Sequence, residues 1–497
     1  VEHGSFDGLD FGAMGRLNWK AITDEKLDWA LEGCNFKRAP RWHQKVSMVF
    51  SSQRDRVAFW HPIGSGKTAT GYYVMEHIWR CPRLLVVGPT SSFGAWESNL
   101  EWTDYDGVIL SGTIDERIEK LQENHNVFVS NYEGLKYIYG RKAGNKWYID
   151  YDAFVDEFDG VIFDEAHRCK AFDSLQSKIC CELSRQAKHV IGLSGTPFDK
   201  NLLELFNVYK AIDQGQCLGS NFFRYRLDNF KKGFYQWEER EGSEMKIFDM
   251  VAPVTLAFER SECADLPPCN EVVWHVTPSQ EFRKWELKIL TKKYLTINGN
   301  KVDVREDSQR SHKYKQILGG YIYYKVEGCD DRCIKYLKKS PKVDTFMEIV
   351  SDHPVKIIVF YMYDGADVII QKALEKAKIS YVTIKGGQSA KKRRAAEMAF
   401  LNDPDVSVCV CNTKCGGESW EGYSAEIVVF YDILTSPTIR KQCIGRMHRD
   451  GQEKETTVIE LVMQGTFDER SKENQGPRAD LQKEFNEYLS DYGGTGG

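Results

Sequence analysis

Unbroken apolar runs of strand length recur through the first half of the chain: 57–60, 84–88, 108–110, 127–130, 161–163 and 189–193. A strand with one wet face alternates apolar and polar residues, whereas a run without alternation is covered on both faces, as in a parallel sheet. Stretches with apolar residues at helical spacing lie between these runs, at 69–79, 92–102, 115–123, 172–186 and 202–212. Regular exchange of strand and helix predicts a doubly wound α/β domain over 38–213, entered by a helix from Arg41 to Phe50. A second series, with strands at 356–361, 381–384, 406–411, 427–431 and 458–462 and helices at 366–378, 390–401 and 438–449, predicts another such domain over 341–470. The two share no detectable sequence repeat. Between them, over 214–340, strand-like runs thin out and aromatics mix with basic residues, so this stretch is expected to be a linker with a mainly helical insertion. Residues 1–37 form a polar lead with one helical stretch at 24–31. Residues 471–497 are expected to hold a C-terminal helix and a glycine-rich, disordered tail from Gly493.

Composition narrows the class without naming a function. At 497 residues the chain is too long for one core. Its 42% hydrophobic and 28% charged residues are those of a soluble globular protein, and no run of eighteen apolar residues could span a membrane. The first residues lack both an initiator Met and the basic, apolar character of a secretory signal, so a processed or trimmed start is expected. Fourteen cysteines are scattered, several inside apolar runs (Cys180, Cys181, Cys409, Cys411), which is how reduced, buried thiols look. A cytoplasmic location in a bacterial or virus-infected cell is expected, or a nuclear one in a eukaryote. Cys263, Cys269, Cys329 and Cys333 could in principle hold zinc, but the irregular spacing speaks against it. The net charge of −5 decides nothing about nucleic acid; its distribution matters more. Residues 283–315 hold ten Lys/Arg against four acids, which reads equally as a phosphate-facing surface or a solvated helix face.

The chemistry gathers at strand ends. His61-Pro-Ile-Gly64-Ser65-Gly66-Lys67-Thr68 stands between a strand and a helix, the context that a phosphate-binding loop requires. Gly64 and Gly66 let backbone N–H groups curl around an anion, Lys67 supplies a point charge for the β- and γ-phosphates, and the Thr68 hydroxyl can join the shell of a Mg²⁺ ion. The bland reading of this stretch is a glycine turn before an ordinary helix. About a hundred residues on, Asp164 and Glu165 follow another buried strand, at the sheet edge where ligands bind in such folds. There Asp164 can hold Mg²⁺ through water, and Glu165 can orient and deprotonate an attacking water. Alone, two adjacent acids could equally cap a helix; the upstream phosphate loop tips the balance. Ser194 and Thr196 follow a further strand, placed to link the carboxylates to bound substrate. Gln44, ahead of the loop, could present its amide to both edges of an adenine. In the second domain Gln442, Arg446 and Arg449 fall at i, i+4 and i+7, on one helix face, as arginines that neutralise a transferring phosphoryl group would.

Together these stretches resemble superfamily-two helicases, and in detail the Swi/Snf-like branch of DNA translocases, over about residues 40–470. Gln44 is similar to the adenine-reading glutamine and Gly64–Thr68 to motif I. Val87-Gly-Pro-Thr90 with Trp96-Glu97 is similar to motif Ia and its tryptophan, and Ser130-Asn131-Tyr-Glu133 to motif Ib. Asp164-Glu165-Ala-His167-Arg-Cys-Lys170 resembles motif II, and Leu193-Ser194-Gly-Thr196-Pro197 motif III. Leu266-Pro-Pro268 with Gln280 is similar to the passage into the second lobe. Lys385-Gly386-Gly-Gln388 resembles motif IVa, Gly416-Gly417 motif V, and Gln442-x-x-Gly-Arg446-Met-His448-Arg449-x-Gly451-Gln452 motif VI. The resemblance implies two RecA-like lobes closing on ATP and Mg²⁺, with DNA, duplex or branched, as partner. It implies Lys67, Asp164, Glu165, Arg446 and Arg449 in catalysis, and Gln44, Gly64, Ser65, Gly66, Lys67, Thr68 and Gln442 on ATP. Thr68 and Asp164 would serve the metal, and His167, Ser194, Thr196 and Gly417 would couple the lobes. Thr90, Ser130, Asn131, Lys385, Gly386 and Lys414 would meet DNA. Two features depart from the family: His61-Pro-Ile63 replaces the acidic lead of motif I, and Glu418-Ser-Trp420-Glu421 brings a tryptophan and acids into motif V. The short insertion, with no visible histone-tail reader, points to a compact prokaryotic or viral type. A duplex translocase is the leading expectation. An ATP-binding scaffold of a larger DNA-processing complex and a strand-separating helicase are the alternatives.

Overall fold

The computed structural model describes residues 19, 22–154, 158–199, 201–233, 237–263, 266–326, 332–417, 420–434, 436–449 and 451–473. The chain divides into two compact units, the first running to Asp265 and the second from Leu266 to Pro477.

Among the described residues the sheet of the first unit has seven strands: β1 (Arg56–Trp60), β2 (Leu84–Gly88), β3 (Gly107–Ile109), β4 (Val127–Asn131), β5 (Gly160–Asp164), β6 (His189–Leu193) and β7 (Thr255–Ala257). Their order across the sheet is β7-β1-β6-β5-β2-β4-β3, every pair parallel. Along β1 the alternate residues Val57 and Phe59 enter one core and Ala58 and Trp60 the other, so both faces are dry. That is why the run does not alternate in sequence. The register carries the function: Phe59 lies beside Leu193, and Leu193 beside Asp164. The residues that follow each strand therefore leave the sheet at one level.

At the opposite end Arg56 closes two helices. Its guanidinium donates to the carbonyls of Ser184 and Ala187, at the end of helix Leu175–Gln186, and of Ile212, at the end of helix Leu205–Asp213. Carbonyls at a helix C-terminus lack intrahelical donors and carry partial negative charge, so a fixed cation there is favourable. Arg56→Met is expected to lower stability by about 2 kcal/mol, read as a shifted urea midpoint with an unchanged m-value.

In the second unit the described strands of the large sheet are β8 (Cys269–Val276), β9 (Ile357–Tyr361), β10 (Tyr381–Ile384), β11 (Val408–Asn412), β12 (Ile427–Phe430) and β13 (Thr456–Met463), in the order β8-β13-β12-β9-β11-β10 and again all parallel. Ile357 and Val359 face one core, and Ile358 and Phe360 the other. Cys409 and Cys411 fill the second as small apolar groups, and the described cysteines are free. Cys329 lies outside the described residues.

The stretch 214–340, expected as one insertion between lobes, is shared between the units. Thr255–Ala257 becomes an edge strand beside β1, and Cys269–Val276 pairs along its whole length with β13. Between β8 and β9, helices Gln280–Thr291 and Asp307–Leu318 and two antiparallel hairpins enclose a separate small core around Phe282, Ile289, Ile297, Ile317 and Ile322. The basic segment 283–315 is thus part of the second unit. Helix Phe467–Glu473 closes the described part of the second unit; the C-terminal helix expected in 471–497 and the glycine-rich tail fall on residues that, from 474 on, lie outside the described ones.

Candidate nucleotide site and the second-unit arginines

In the first unit the loop after β1, the acids after β5 and Ser194 after β6 converge, as the register requires. Gly64 and Gly66 have φ of +82° and +81°, a left-handed backbone that side chains with a Cβ rarely adopt. A Cβ on Gly66 would also lie 2.9 Å from the Gln44 amide nitrogen. The loop is held from several sides. Gln44 Nε2 donates to the Gly66 carbonyl at 3.2 Å, His43 Nε2 donates to Ser65 O at 2.8 Å, and Arg260 donates to Ile63 O at 3.2 Å. Gln44 Oε1 accepts from Arg41 N. One amide proton and one lone pair of Gln44 remain, the pair of groups an adenine edge uses. His61 is fully buried, stacked on Phe59 at 5.1 Å and against Phe258 at 5.0 Å; burial holds its pKa well below the ordinary value. Burial likewise lowers His43, to about 4. The unusual lead of the loop is therefore an uncharged aromatic floor.

Lys67 Nζ donates to the carbonyls of Pro62 and His61, at 3.2 and 3.3 Å. Burial lowers its pKa, against the opposing pull of Glu165 and Asp164. The two acids differ in character. Burial and the Glu165 charge raise Asp164, although Trp96 Nε1 donates to its Oδ2 at 2.9 Å. For Glu165 burial acts upward, but the hydrogen bond and charge of His167, the Lys67 charge and Ser194 together outweigh it and hold the carboxyl at about 2. His167 Nδ1 lies 3.3 Å from Glu165 Oε2 and 3.1 Å from Ser194 Oγ, and Ser194 Oγ lies 3.3 Å from the same carboxylate oxygen. Thr196 N donates to Ser194 Oγ, closing the group. When this pair of carboxyls takes up a proton, Asp164 takes it first.

Glu165 has φ +52° and ψ 54°. A non-glycine residue in this region costs on the order of 1–3 kcal/mol and persists only where its surroundings over-determine it. Here Tyr132 donates its hydroxyl to Asp164 O at 2.9 Å and Arg168 N donates to Glu165 O, pinning the backbone on both sides. The strain turns two consecutive side chains to different tasks.

Sequence reasoning left three contributors out of the site. Trp96 stands in the motif Ia stretch and Tyr132 in the motif Ib stretch with no role assigned to either side chain, yet each gives its polar hydrogen to Asp164. Gly88 reads as a strand end, yet a Cβ there would sit 3.2 Å from Asp164 Cβ and 2.7 Å from Ser92 Oγ. Only the tryptophan of motif Ia gave a signal. Trp96→Phe removes a hydrogen bond that favours ionised Asp164. Since the carboxylate must be ionised to hold a cation, the lowest pH at which Mg²⁺ binds is expected to rise, with little change at high pH, read by titrating metal binding against pH.

The residues fit a nucleotide with its magnesium ion. The glycine cradle, the lysine, a hard carboxylate and the buried, unpartnered hydroxyl of Ser65 are the required donor types.

The residues expected at DNA are placed variously. Thr90 is exposed at the start of turn Thr90–Ser92, after β2. Ser130 is fully buried, its hydroxyl donating to Asn131 O, so it presents no side-chain surface. Asn131 donates to Glu133, which also pairs with Arg168 at 3.0 Å, a direct link back to the acids.

In the second unit Lys385 pairs with Asp367 at 2.8 Å beside the exposed Gly386, and Lys414 is exposed in turn Thr413–Gly417. Helix Pro437–Met447 and the residues after it carry Gln442, Arg446 and Arg449. Arg446 and Arg449 both donate to the Trp420 carbonyl, at 3.2 and 3.4 Å, and Arg449 lies 3.3 Å from Glu421. The motif V departure thus positions the arginines. Glu418 lies outside the described residues.

Residues 29–323 match the SNF2-related domain family and residues 341–451 the helicase conserved C-terminal domain family. The chain is 24% identical over 436 residues to the Caenorhabditis elegans homolog of SWI/SNF-related matrix-associated actin-dependent regulator of chromatin subfamily A-like protein 1, covering 86% of this chain and 59% of that protein. It is 24% identical over 470 residues to the ISWI chromatin-remodeling complex ATPase ISW1 of Saccharomyces cerevisiae, covering 88% and 39%. Over 453 residues it is 24% identical to the DNA repair and recombination protein RDH54 of the same yeast, covering 82% and 45%. The chain therefore spans less than two thirds of the length of each of these relatives. Among solved structures it is similar to the Sulfolobus solfataricus SWI2/SNF2 ATPase core in complex with dsDNA, at 19% identity, 92% and 95% coverage and a TM-score of 0.42.

Proposed function

Because the chain belongs to the SNF2-related family, with a helicase conserved C-terminal domain following, we propose that it is a DNA-dependent ATPase that moves along duplex DNA and remodels protein–DNA complexes or branched DNA. The observation that carries this reading is the convergence of Lys67, Asp164, Glu165, His167 and Ser194 at the carboxyl ends of β1, β5 and β6. Gln44 reads the base, and Gly64, Gly66 and Lys67 hold the phosphates. Thr68 and Asp164 would hold Mg²⁺, which supplies charge neutralisation on the phosphate oxygens.

Glu165, ionised throughout the working pH range, accepts a hydrogen bond from the attacking water and so orients it. A carboxylate at about 2 is a weak base. Lys67 is one of the charges that depress it, so drawing Lys67 onto phosphate would raise its basicity. Ser194 and His167 hold the carboxylate in place. Arg446 and Arg449 are the second unit's groups for neutralising the charge of the transferring phosphoryl. Asn131, Glu133 and Arg168 give the DNA-facing end of β4 a route to Glu165.

Steady-state hydrolysis by the full chain with no nucleic acid, blunt duplex, single-stranded DNA and RNA tests the reading. Duplex is expected to stimulate several-fold more than the other two. Equal rates in all four conditions would favour an ATP-binding scaffold.

A further inference from the structure

Between motif Ib and motif II the first unit carries a β-hairpin, Gly140–Ala143 paired with Lys146–Ile149. Its root is fixed. Ile149 packs into the core, Asp150 N donates to Tyr139 O at 2.9 Å, and Trp147 packs edge-on to Tyr137 at 5.5 Å. A Cβ on Gly140 would meet the Lys136 carbonyl at 2.5 Å, so glycine lets the arm leave helix Leu135–Tyr139 at once. The tip turns at Gly144, with φ +60° and open space around it.

Among the described residues the exposed side chains of the hairpin make no hydrogen bond or ion pair. Arg141 opposes Tyr148, and Ala143 opposes Lys146, on one face; Lys142 opposes Trp147 on the other. Arg141, Lys142, Lys146 and Tyr148 are all exposed, Tyr148 to 48%. No acid occurs from residue 136 to residue 149. Among the described residues none of the three cations has an ion-pair partner, in a protein of net charge −5. Cations flanking an exposed aromatic ring are the means by which proteins grip unpaired nucleic acid: phosphates are held by charge and a base stacks on the ring. Inside a duplex both faces of each base are already covered, so the ring finds a partner only where strands part.

We infer that this hairpin is a contact for unpaired DNA adjoining a duplex, with Tyr148 stacking on an exposed base and Arg141, Lys142 and Lys146 on the neighbouring phosphates. This rests on the reading of the chain as a DNA motor and makes branched DNA its preferred substrate.

Fluorescence anisotropy of the full chain with a blunt duplex, and with the same duplex carrying an unpaired extension, tests it. The extension is expected to tighten binding by about 5- to 100-fold. Tyr148→Ala should abolish that preference and leave blunt-duplex affinity and duplex-stimulated hydrolysis unchanged. The triple variant Arg141→Gln, Lys142→Gln, Lys146→Gln should weaken binding to the extension and flatten its salt slope by about 0.7 per lost phosphate contact. If the wild type shows no preference, or Tyr148→Ala keeps it, while duplex still binds and stimulates, the hairpin inference fails alone. If duplex neither binds nor stimulates, the motor reading beneath it fails.

Discussion

Glu165→Gln is expected to lower ATP hydrolysis by about 10²–10⁴-fold while ATP affinity stays within about twofold of wild type. The glycine cradle, Lys67 and Asp164 remain, and Gln keeps one oxygen for Ser194 and His167. What disappears is the acceptor that orients water and takes its proton. The backbone strain at Glu165 is unaffected, because its pinning groups are Tyr132 and the Arg168 amide. Single-turnover hydrolysis beside fluorescent-nucleotide binding separates the two effects. Near-normal turnover would mean that another group handles the water.

Arg446→Ala and Arg449→Ala are each expected to lower DNA-stimulated turnover by about 10³–10⁵-fold, with ATP affinity little changed. Neither residue belongs to the unit that holds the phosphate loop, so under the proposed function each would act on hydrolysis and not on ATP binding. The second unit already gathers both around the Trp420 carbonyl, and Glu421 steers Arg449. Arg449→Lys keeps the charge but loses the planar fork, and should recover only part of the rate. A structural role would look different: ATP binding and melting temperature would fall with the rate, and Lys would restore neither. Thermal melting alongside kinetics distinguishes the two.

Much of this machinery could be read from residues because burial on both faces marks it. Strands such as Leu84–Gly88 and His189–Leu193 are apolar throughout since two cores cover them, and chemistry in such sheets sits where the strand stops. Elements that depend on pairing were less legible. Thr255–Ala257 is three residues long and becomes a strand only through β1. Cys269–Val276 is an edge strand with a wet face, so its pattern merges with the polar linker. The hairpin at 140–149 did leave a signal, a Gly-Asn turn between two short arms. Its basic, aromatic arms bury too little to look like strands. Trp96 stands in the motif Ia stretch, but nothing in the sequence says that its indole N–H faces Asp164. The hydrogen bond exists because helix Phe93–Ser98, after the motif Ia turn, sets the buried Trp96 beside Asp164.

The claim that hydrolysis drives movement along duplex DNA is tested most directly by displacement of a triplex-forming strand. The full chain, given ATP and a blunt duplex bearing a third strand, is expected to release that strand at a rate that follows hydrolysis, and Glu165→Gln should release none. Undiminished DNA-stimulated hydrolysis with the third strand left in place would contradict translocation.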